Sequence, residues 1–532
     1  MYKDKKNSEE DFLVWDVELA PINFPSFIRK KYELNYCKNR KQYNLWIDRC
    51  SKLQKTNIDW WMTLPSYRNP YISNIFNYLA VLDTLFSIKN KRINLKIITS
   101  SKQLSNLINH HFKSFCKIEL KQKNVKLSLI INYCKCIIFQ LVTFFFINIF
   151  FQKSHYEKKK IILVDQFVTL DEEQNSNFYK KFSNTRNLKT LIAPTLIPTM
   201  NFLKLFKNLF KLKKRENLIF KEHYLKLNDL VFSFGHIFRR DKFFKSKINY
   251  KNFNLTNLLL EETIRYDDFF SISSGILNYL FFKRASLKKI NFVKSINWFE
   301  NQIVDKGWNL GFRTFYSKYE KFCFGYQDFS KHYNLMSNSP TKFEYKSKAT
   351  PEKLIIISNL FKKITKEFYS KQKIIVGESW RFKYFKNHKV KKRNNKKRKI
   401  FLLVLCGIKE VDIELLKLVS ETCRMNPQIN IFYKSHPILD IKKMSKDINL
   451  ASNLLSVNDN LLDLIQNSLA CITSGPSSTI LENSRLGSKL IVLNIEAGTR
   501  ENLKIFKLKK QNYFFVETSK QLLIILEKLN KF

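Results

Sequence analysis

From position 400 onward, strand-length apolar runs alternate with longer runs of helical periodicity, and that rhythm restricts the segment to an α/β fold with a largely parallel sheet. The runs read as strands at 400–406, 429–433, 470–473, 490–494 and 513–516, with helices at 411–424, 460–468, 477–486 and 518–529. Residues 400–532 therefore form one Rossmann-like unit of ordinary domain size. Upstream the pattern is looser, with candidate strands at 12–17, 95–99, 161–167, 229–234, 296–299 and 374–376. Residues 384–399, ending in the run KVKKRNNKKRK, separate the two halves. Like charges without apolar periodicity cannot pack, so this stretch reads as a solvated linker. The expected architecture is α/β in two domains, 1–383 and 400–532.

The most apolar stretch is CIIFQLVTFFFINIFFQ at 136–152, inside a helical insertion near 126–152 of the N-terminal domain. Its 17 residues are short for a bilayer span, and Gln140, Thr143 and Asn148 interrupt it. A helix lying in the interface of the inner membrane is expected, with Lys158, Lys159 and Lys160 meeting anionic lipid. A span and a buried core helix are the alternatives. The charged N-terminus MYKDKKNSEE lacks the apolar core of a signal peptide, and nine scattered cysteines fit a reducing cytoplasm.

A net charge of +49 would ordinarily point to a phosphate-rich partner. Here Lys, Asn, Ile and Phe are all abundant while glycine falls to 10 residues in 532, against the usual level of about 7%. A coding bias explains that pattern better than nucleic-acid binding, for which no motif is present. The same bias makes the surviving glycines informative: Gly307, Gly311 and Gly325 crowd one stretch and Gly475, Gly487 and Gly498 another, and both are candidate site walls.

Two strings carry the chemistry. A strand ending near 433 delivers Lys434, Ser435, His436 and Pro437 to its carboxyl end, where a cation and an imidazole could meet a diphosphate, a ribose or a sugar carboxylate. The strand at 470–473 runs into Ser474, Gly475 and Pro476 and then into a helix starting near Ser477. That geometry aims backbone N–H groups and a helix dipole at an anion, with Ser477, Ser478 and Thr479 adding hydroxyls. Glu482, four residues after Ser478, could take the hydroxyls of a ribose. Upstream, Asp16, Asp165 and Glu300 stand near strand carboxyl ends, and Arg313 could neutralise an anionic substrate.

The order of strand, Lys-x-His-Pro, strand, Ser-Gly-Pro-Ser-Ser and helix with Glu resembles the C-terminal domain of GT-B-fold glycosyltransferases of capsule and surface-polysaccharide assembly. In the sialyl- and Kdo-transferase branches a His-Pro motif and a paired-serine motif bind the cytidine monophosphate of the donor. That resemblance implicates His436, Pro437, Ser477 and Ser478. Further strings resemble bacterial surface carbohydrate biosynthesis proteins: Asp59-Trp60-Trp61, Ser66-Tyr67-Arg68-Asn69-Pro70, Trp298-Phe299-Glu300-Asn301-Gln302, Asp305-Lys306-Gly307, Gly311-Phe312-Arg313 and Gly325-Tyr326-Gln327. The GT-B resemblance implies two Rossmann-like domains facing a cleft, a nucleotide-sugar donor, a lipid-linked or oligosaccharide acceptor, no bound cofactor or metal, and a base supplied by the N-terminal half, Glu300 first and Asp165 second. A CDP-glycerol-type polyol-phosphate transferase, a sugar-nucleotide 2-epimerase and a non-catalytic membrane scaffold are the competing expectations.

Overall fold

The computed structural model describes residues 12–54, 57–121, 125–153, 159–168, 188–213, 217–240, 242–243, 247–265, 268–317, 321–383, 400–437, 439 and 448–531. The expected linker at 384–399 and Lys158 lie outside the described residues.

Every strand pair in the three main sheets is parallel, as the alternating pattern requires. In the C-terminal unit the strands lie side by side as Leu454–Ser456, Ile431–Lys434, Ile400–Val404, Ser468–Ser474, Lys489–Leu493 and Tyr513–Val516. Numbered along the chain this is 3-2-1-4-5-6, the doubly wound Rossmann order, whose crevice opens where Ile400–Val404 meets Ser468–Ser474.

The large N-terminal sheet runs Leu188–Leu196, Lys160–Val168, Phe292–Trp298, Phe322–Gln327, Lys353–Ile356 and Lys373–Val376. That is order 2-1-3-4-5-6, with its switch point between Lys160–Val168 and Phe292–Trp298. A third sheet of Phe12–Asp16, Asn94–Thr99 and Cys116–Leu120 stands apart, which the strand pattern alone did not separate from the rest. One apolar core nonetheless joins it to the large sheet, with Trp15 and Ile97 in the same cluster as Leu163 and Phe292. Asp16, at the end of its strand, is taken by an ion pair with Lys121.

The carboxyl ends of the two Rossmann-like sheets face each other. Beyond Phe322–Gln327 the N-terminal chain reaches the other unit: Tyr333 N–H donates to Asn502 Oδ1 at 2.5 Å and Asn334 Nδ2 to the Ala497 carbonyl at 3.0 Å. An apolar cluster of Ile356 and Phe361 with Ile480, Leu490, Leu503 and Phe506 seals one flank of the contact.

Two sequence expectations need correcting. Residues 229–234 belong to a helix, Leu227–Phe234, which starts where Asp229 accepts the Lys226 N–H at 2.8 Å. Gly307 and Gly311 line no cleft. Both lie in the helix Ile303–Phe315, which crosses Phe269–Leu287 so closely that a Cβ on Gly307 would stand 1.9 Å from the Gly275 carbonyl oxygen.

Candidate functional site

On the C-terminal side the site grows from two loops flanking the switch point. After Ile400–Val404, the backbone N–H groups of Cys406 and Gly407 donate to the Asp412 carboxylate at 2.8 and 2.9 Å, which fixes the first loop to the helix Lys409–Met425. Gly407 has φ +86°, and a Cβ there would lie 2.7 Å from the His436 ring. A left-handed residue without a side chain is what lets the imidazole rest on the loop. His436 is half-buried, and burial followed by the charge of Arg381 pushes its pKa down, so the ring is neutral at neutral pH. Lys434 reaches the Asn458 carbonyl at 3.3 Å, and Pro437 is exposed beside the histidine.

The second loop follows Ser468–Ser474. Ser474 is fully buried, and its hydroxyl has no hydrogen-bond partner among the described residues. Gly475 packs against Thr499 and Asn502. The helix begins at Thr479, two residues later than its composition suggests, because Ser474–Ser477 is used as a turn with Ser477 Oγ accepting the Thr479 N–H at 3.3 Å. Ser477, Thr479 and Glu482 are buried, leaving Ser478 as the hydroxyl of this row that stands half-open to the cleft. Glu482 lies beside Cys471, whose thiol it helps push up, and at 3% exposure it does not present a carboxylate to a ribose in this conformation.

Ser478 is met from the other domain. Arg381 Nη2 donates to Ser478 Oγ at 3.1 Å across the cleft. Its backbone is held by the buried Asp328, which accepts the N–H groups of Trp380 and Arg381 at 2.9 Å each and the Ser379 hydroxyl. Arg381 also stands close enough to His332 to depress it: burial first, then Arg381 and Lys331, push that imidazole down to about 3. His332 Nε2 shares a hydrogen bond with Ser330 Oγ at 3.1 Å, while Nδ1 is buried without a partner among the described residues. A guanidinium, the half-buried imidazole of His436, the Ser478 hydroxyl and a helix N-terminus thus converge at the switch point, with His332 buried near Arg381, and together the exposed groups form a donor set suited to a phosphate group. The sequence reading missed Arg381 and His332. Arg381 is positioned by Asp328, 53 residues away, and the one local signal is its place just past the end of the strand Lys373–Val376.

On the N-terminal side Glu300 lies two residues beyond Phe292–Trp298, at the switch point of its own sheet. Trp298 Nε1–H donates to one carboxylate oxygen and Gln302 Nε2 to the other, each at 2.8 Å. The turn is built for this: Asn301 takes φ +60°, and Asp305 Oδ2 accepts the N–H groups of Glu300 and Gln302 at 3.0 Å. Asn301 Nδ2 is tied to the Ser337 carbonyl and to Glu344. Glu344 also pairs with Arg68 and Lys306, and Gln327 donates to the Phe299 carbonyl at 3.2 Å. Four of the strings quoted above therefore converge on a single turn that presents Glu300.

Asp165 and Arg313 sit elsewhere. Asp165 is 1% exposed within its strand, accepts from Thr195 at 2.7 Å and shares that network with the buried Lys221. Burial raises its pKa and Lys221 partly offsets this. A carboxylate enclosed in the sheet is a structural group and does not reach an acceptor. Arg313 is 8% exposed, donates to the carbonyls of Tyr345 at 2.9 Å and Thr350 at 2.7 Å, and pairs with Glu352 at 3.0 Å. Its charge is spent inside the fold.

No family model and no curated protein matches the chain. Solved structures with a related arrangement include CalG4, the calicheamicin glycosyltransferase, at 11% identity and TM-score 0.36, covering 70% of this chain and 90% of that one. The lipopolysaccharide outer core galactosyltransferase WaaB gives 12% and 0.34 over 70% and 90%. UDP-GlcNAc 2-epimerase from Neisseria meningitidis, bound to UDP-GlcNAc, gives 12% and 0.32 over 70% and 92%. At such values the likeness concerns fold alone, and the assignment to two facing Rossmann-like units rests on the strand orders themselves.

Another inter-domain contact carries a pH dependence. Glu496, just past Lys489–Leu493, accepts the Tyr71 hydroxyl at 2.6 Å. Burial pushes its pKa up to about 7 against the hydrogen bonds of Tyr71 and Asn334. A carboxyl raised in the folded state contributes stability that is present below its unfolded pKa and lost as pH rises through about 7. Glu496→Gln should therefore match wild type in urea denaturation at pH 5 and exceed it by roughly 2–3 kcal/mol at pH 8. An equal difference at both pH values would remove Glu496 as the titrating group.

Proposed function

We propose that this chain is a glycosyltransferase of surface-polysaccharide biosynthesis that moves a sugar from a nucleotide-activated donor to a lipid-linked or oligosaccharide acceptor. The single observation that carries the reading is the Arg381–Ser478 bridge across the cleft, next to His436 and over the switch point of a Rossmann sheet. In this reading the donor phosphate takes the place of the direct bridge and is held by Arg381, Ser478 Oγ and the N–H groups opening Thr479–Leu486. His436 and Lys434 contact the nucleotide or sugar. Glu300 accepts the proton of the acceptor hydroxyl as its oxygen bonds to the anomeric carbon. The sugar–phosphate bond breaks, its electron pair leaves on the phosphate oxygen, and Arg381 and the helix dipole offset that charge without any metal. The motif resemblance makes a cytidine monophosphate-linked sugar the first donor to test.

Titration calorimetry with CMP, CDP, UDP and GDP should reveal one preferred nucleotide. Arg381→Ala should weaken it by about 10- to 100-fold, as expected for a lost charge-assisted hydrogen bond of about 1.5–3 kcal/mol, with smaller losses in His436→Ala and Ser478→Ala. Binding of none of the four would sink the proposal. Product analysis separates this reading from an epimerase, which needs no acceptor, and from a polyol-phosphate transferase, which leaves phosphorus in its product.

A further inference from the structure

The apolar helix of the N-terminal half is Val125–Phe150, and its window Leu127–Phe150 is long and apolar enough to cross a membrane. Instead, one stripe of it is pinned along the protein. Cys136, Phe139, Thr143 and Ile147 recur at spacings of three and four and are buried. Cys136 meets the Phe269 carbonyl at 3.3 Å, and the rings of Phe139 and Phe270 are 5.5 Å apart. Tyr133 and Asn148 add hydrogen bonds to the carbonyls of Phe234 and Glu222. A helix docked to the domain along its length cannot stand alone in a bilayer.

The opposite face of the same helix is apolar too. Leu127, Ile131, Ile138, Phe145 and Ile149 recur at spacings of four and seven and are all exposed, Ile149 at 70%. A second helix, Phe202–Lys213, lies against it, with the rings of Phe146 and Phe206 stacked at 4.1 Å and those of Phe150 and Phe210 at 6.3 Å. Leu205, Leu209 and Leu212 anchor this helix to the domain. Its outward side carries Leu203, 83% exposed, and Phe210, followed around the helix by Lys204, Lys207 and Lys211. Neither helix contains an acidic residue.

We infer that the outward face of these two helices is a docking surface for an anionic lipid bilayer, with both helix axes parallel to the membrane plane. Apolar side chains enter the headgroup boundary and the lysine edge of the second helix pairs with anionic headgroups. Charge selects this occupant over a second copy of the chain, because a self-contact through the same face would bring lysine edges together with no acidic partner on either helix. The surface is independent of the donor site, so its test needs no nucleotide.

The full chain should co-sediment with vesicles of phosphatidylcholine and phosphatidylglycerol and much less with phosphatidylcholine alone. Ile149→Asp with Leu203→Asp, both on exposed positions where folding is little affected, should abolish the binding. Replacing Lys204, Lys207 and Lys211 by glutamine should weaken it about a hundredfold at low salt, roughly fivefold for each lysine. Circular dichroism confirms that the variants fold. Wild-type protein that stays in the supernatant with anionic vesicles, binding indifferent to the substitutions, or a dimer that Leu203→Asp splits would each overturn the inference.

Discussion

Glu300→Gln should lower turnover by a factor of about 10²–10⁴ while leaving nucleotide affinity where it was. The substitution removes the proton-accepting oxygen and keeps the shape. The turn can absorb it, because Gln302 can rotate its amide to offer the oxygen to the new side chain, and Trp298 retains an acceptor. A stability change of about 1 kcal/mol is therefore expected, too small to mimic the kinetic loss. The measurement is release of nucleotide from the donor with acceptor present, together with calorimetric Kd. Asp165→Asn supplies the contrast. It leaves the buried Lys221 ammonium without its balancing carboxylate, so stability should fall while turnover per folded molecule stays near wild type. Near-normal turnover in Glu300→Gln would remove that residue from the chemistry and leave the nucleotide site intact.

The contrast between these two carboxylates shows what the sequence could and could not disclose. Asp165 lies near the end of the apolar run at 161–167 and Glu300 just after the run at 296–299, and with strand ends free to shift by a residue or two both are candidates for the crevice. What separates them is depth. Asp165 falls inside the paired stretch Lys160–Val168, whereas Glu300 falls two residues past Trp298, where the chain has left the sheet. Strand ends are set by tertiary pairing, here Lys160 to Val168 against Leu188 to Leu196 for one and Lys294 to Trp298 against Phe322 to Tyr326 for the other, and an error of two residues moves a side chain from the core to the crevice. In the C-terminal unit the same uncertainty did little harm, because its central strands Ile400–Val404, Ser468–Ser474 and Lys489–Leu493 are largely buried on both faces and read as continuous apolar runs bounded by turn residues. Half-exposed edge strands such as Cys116–Leu120 and Leu454–Ser456 gave no comparable signal.

Charges were the least legible feature. In a lysine-rich chain, no local pattern distinguishes an arginine that faces a ligand from one that holds the fold. Arg313, in a glycine-bearing segment, proved to be bonded to backbone carbonyls, while Arg381, beside a basic run, proved to bridge the cleft. The difference lies in partners far away in sequence, Glu352 and the Tyr345 and Thr350 carbonyls for one and Asp328 for the other.

Arg68 is the extreme case of a structural arginine, and Arg68→Ala should cost about 3–5 kcal/mol of folding free energy in urea denaturation at pH 7. The side chain is fully buried and donates to both oxygens of Glu344, to Asn44 Oδ1, and to the carbonyls of Met336 at 3.1 Å and Ser339 at 3.0 Å. Burial alone would raise the Glu344 pKa, yet Arg68 and Lys306 outweigh it and hold the carboxyl down at about 2. A carboxyl depressed in the folded state contributes stability that is present above its unfolded pKa and lost as pH falls toward about 2. Removing Arg68 should accordingly flatten the acid limb of the stability profile as well as lower its plateau. Arg68→Lys keeps the charge but not the fork, so it should restore the acid limb in part and leave Met336, Ser339 or Asn44 without a donor, at a further cost of about 1–3 kcal/mol. Because the same Glu344 oxygen that Lys306 holds at 2.6 Å also accepts from Asn301 Nδ2, the cluster reaches the Glu300 turn. Arg68 variants that still fold at low temperature should bind nucleotide normally and turn over slowly. Unchanged stability in Arg68→Ala would mean that Lys306 alone balances Glu344, and the link from this cluster to Glu300 would fail with it.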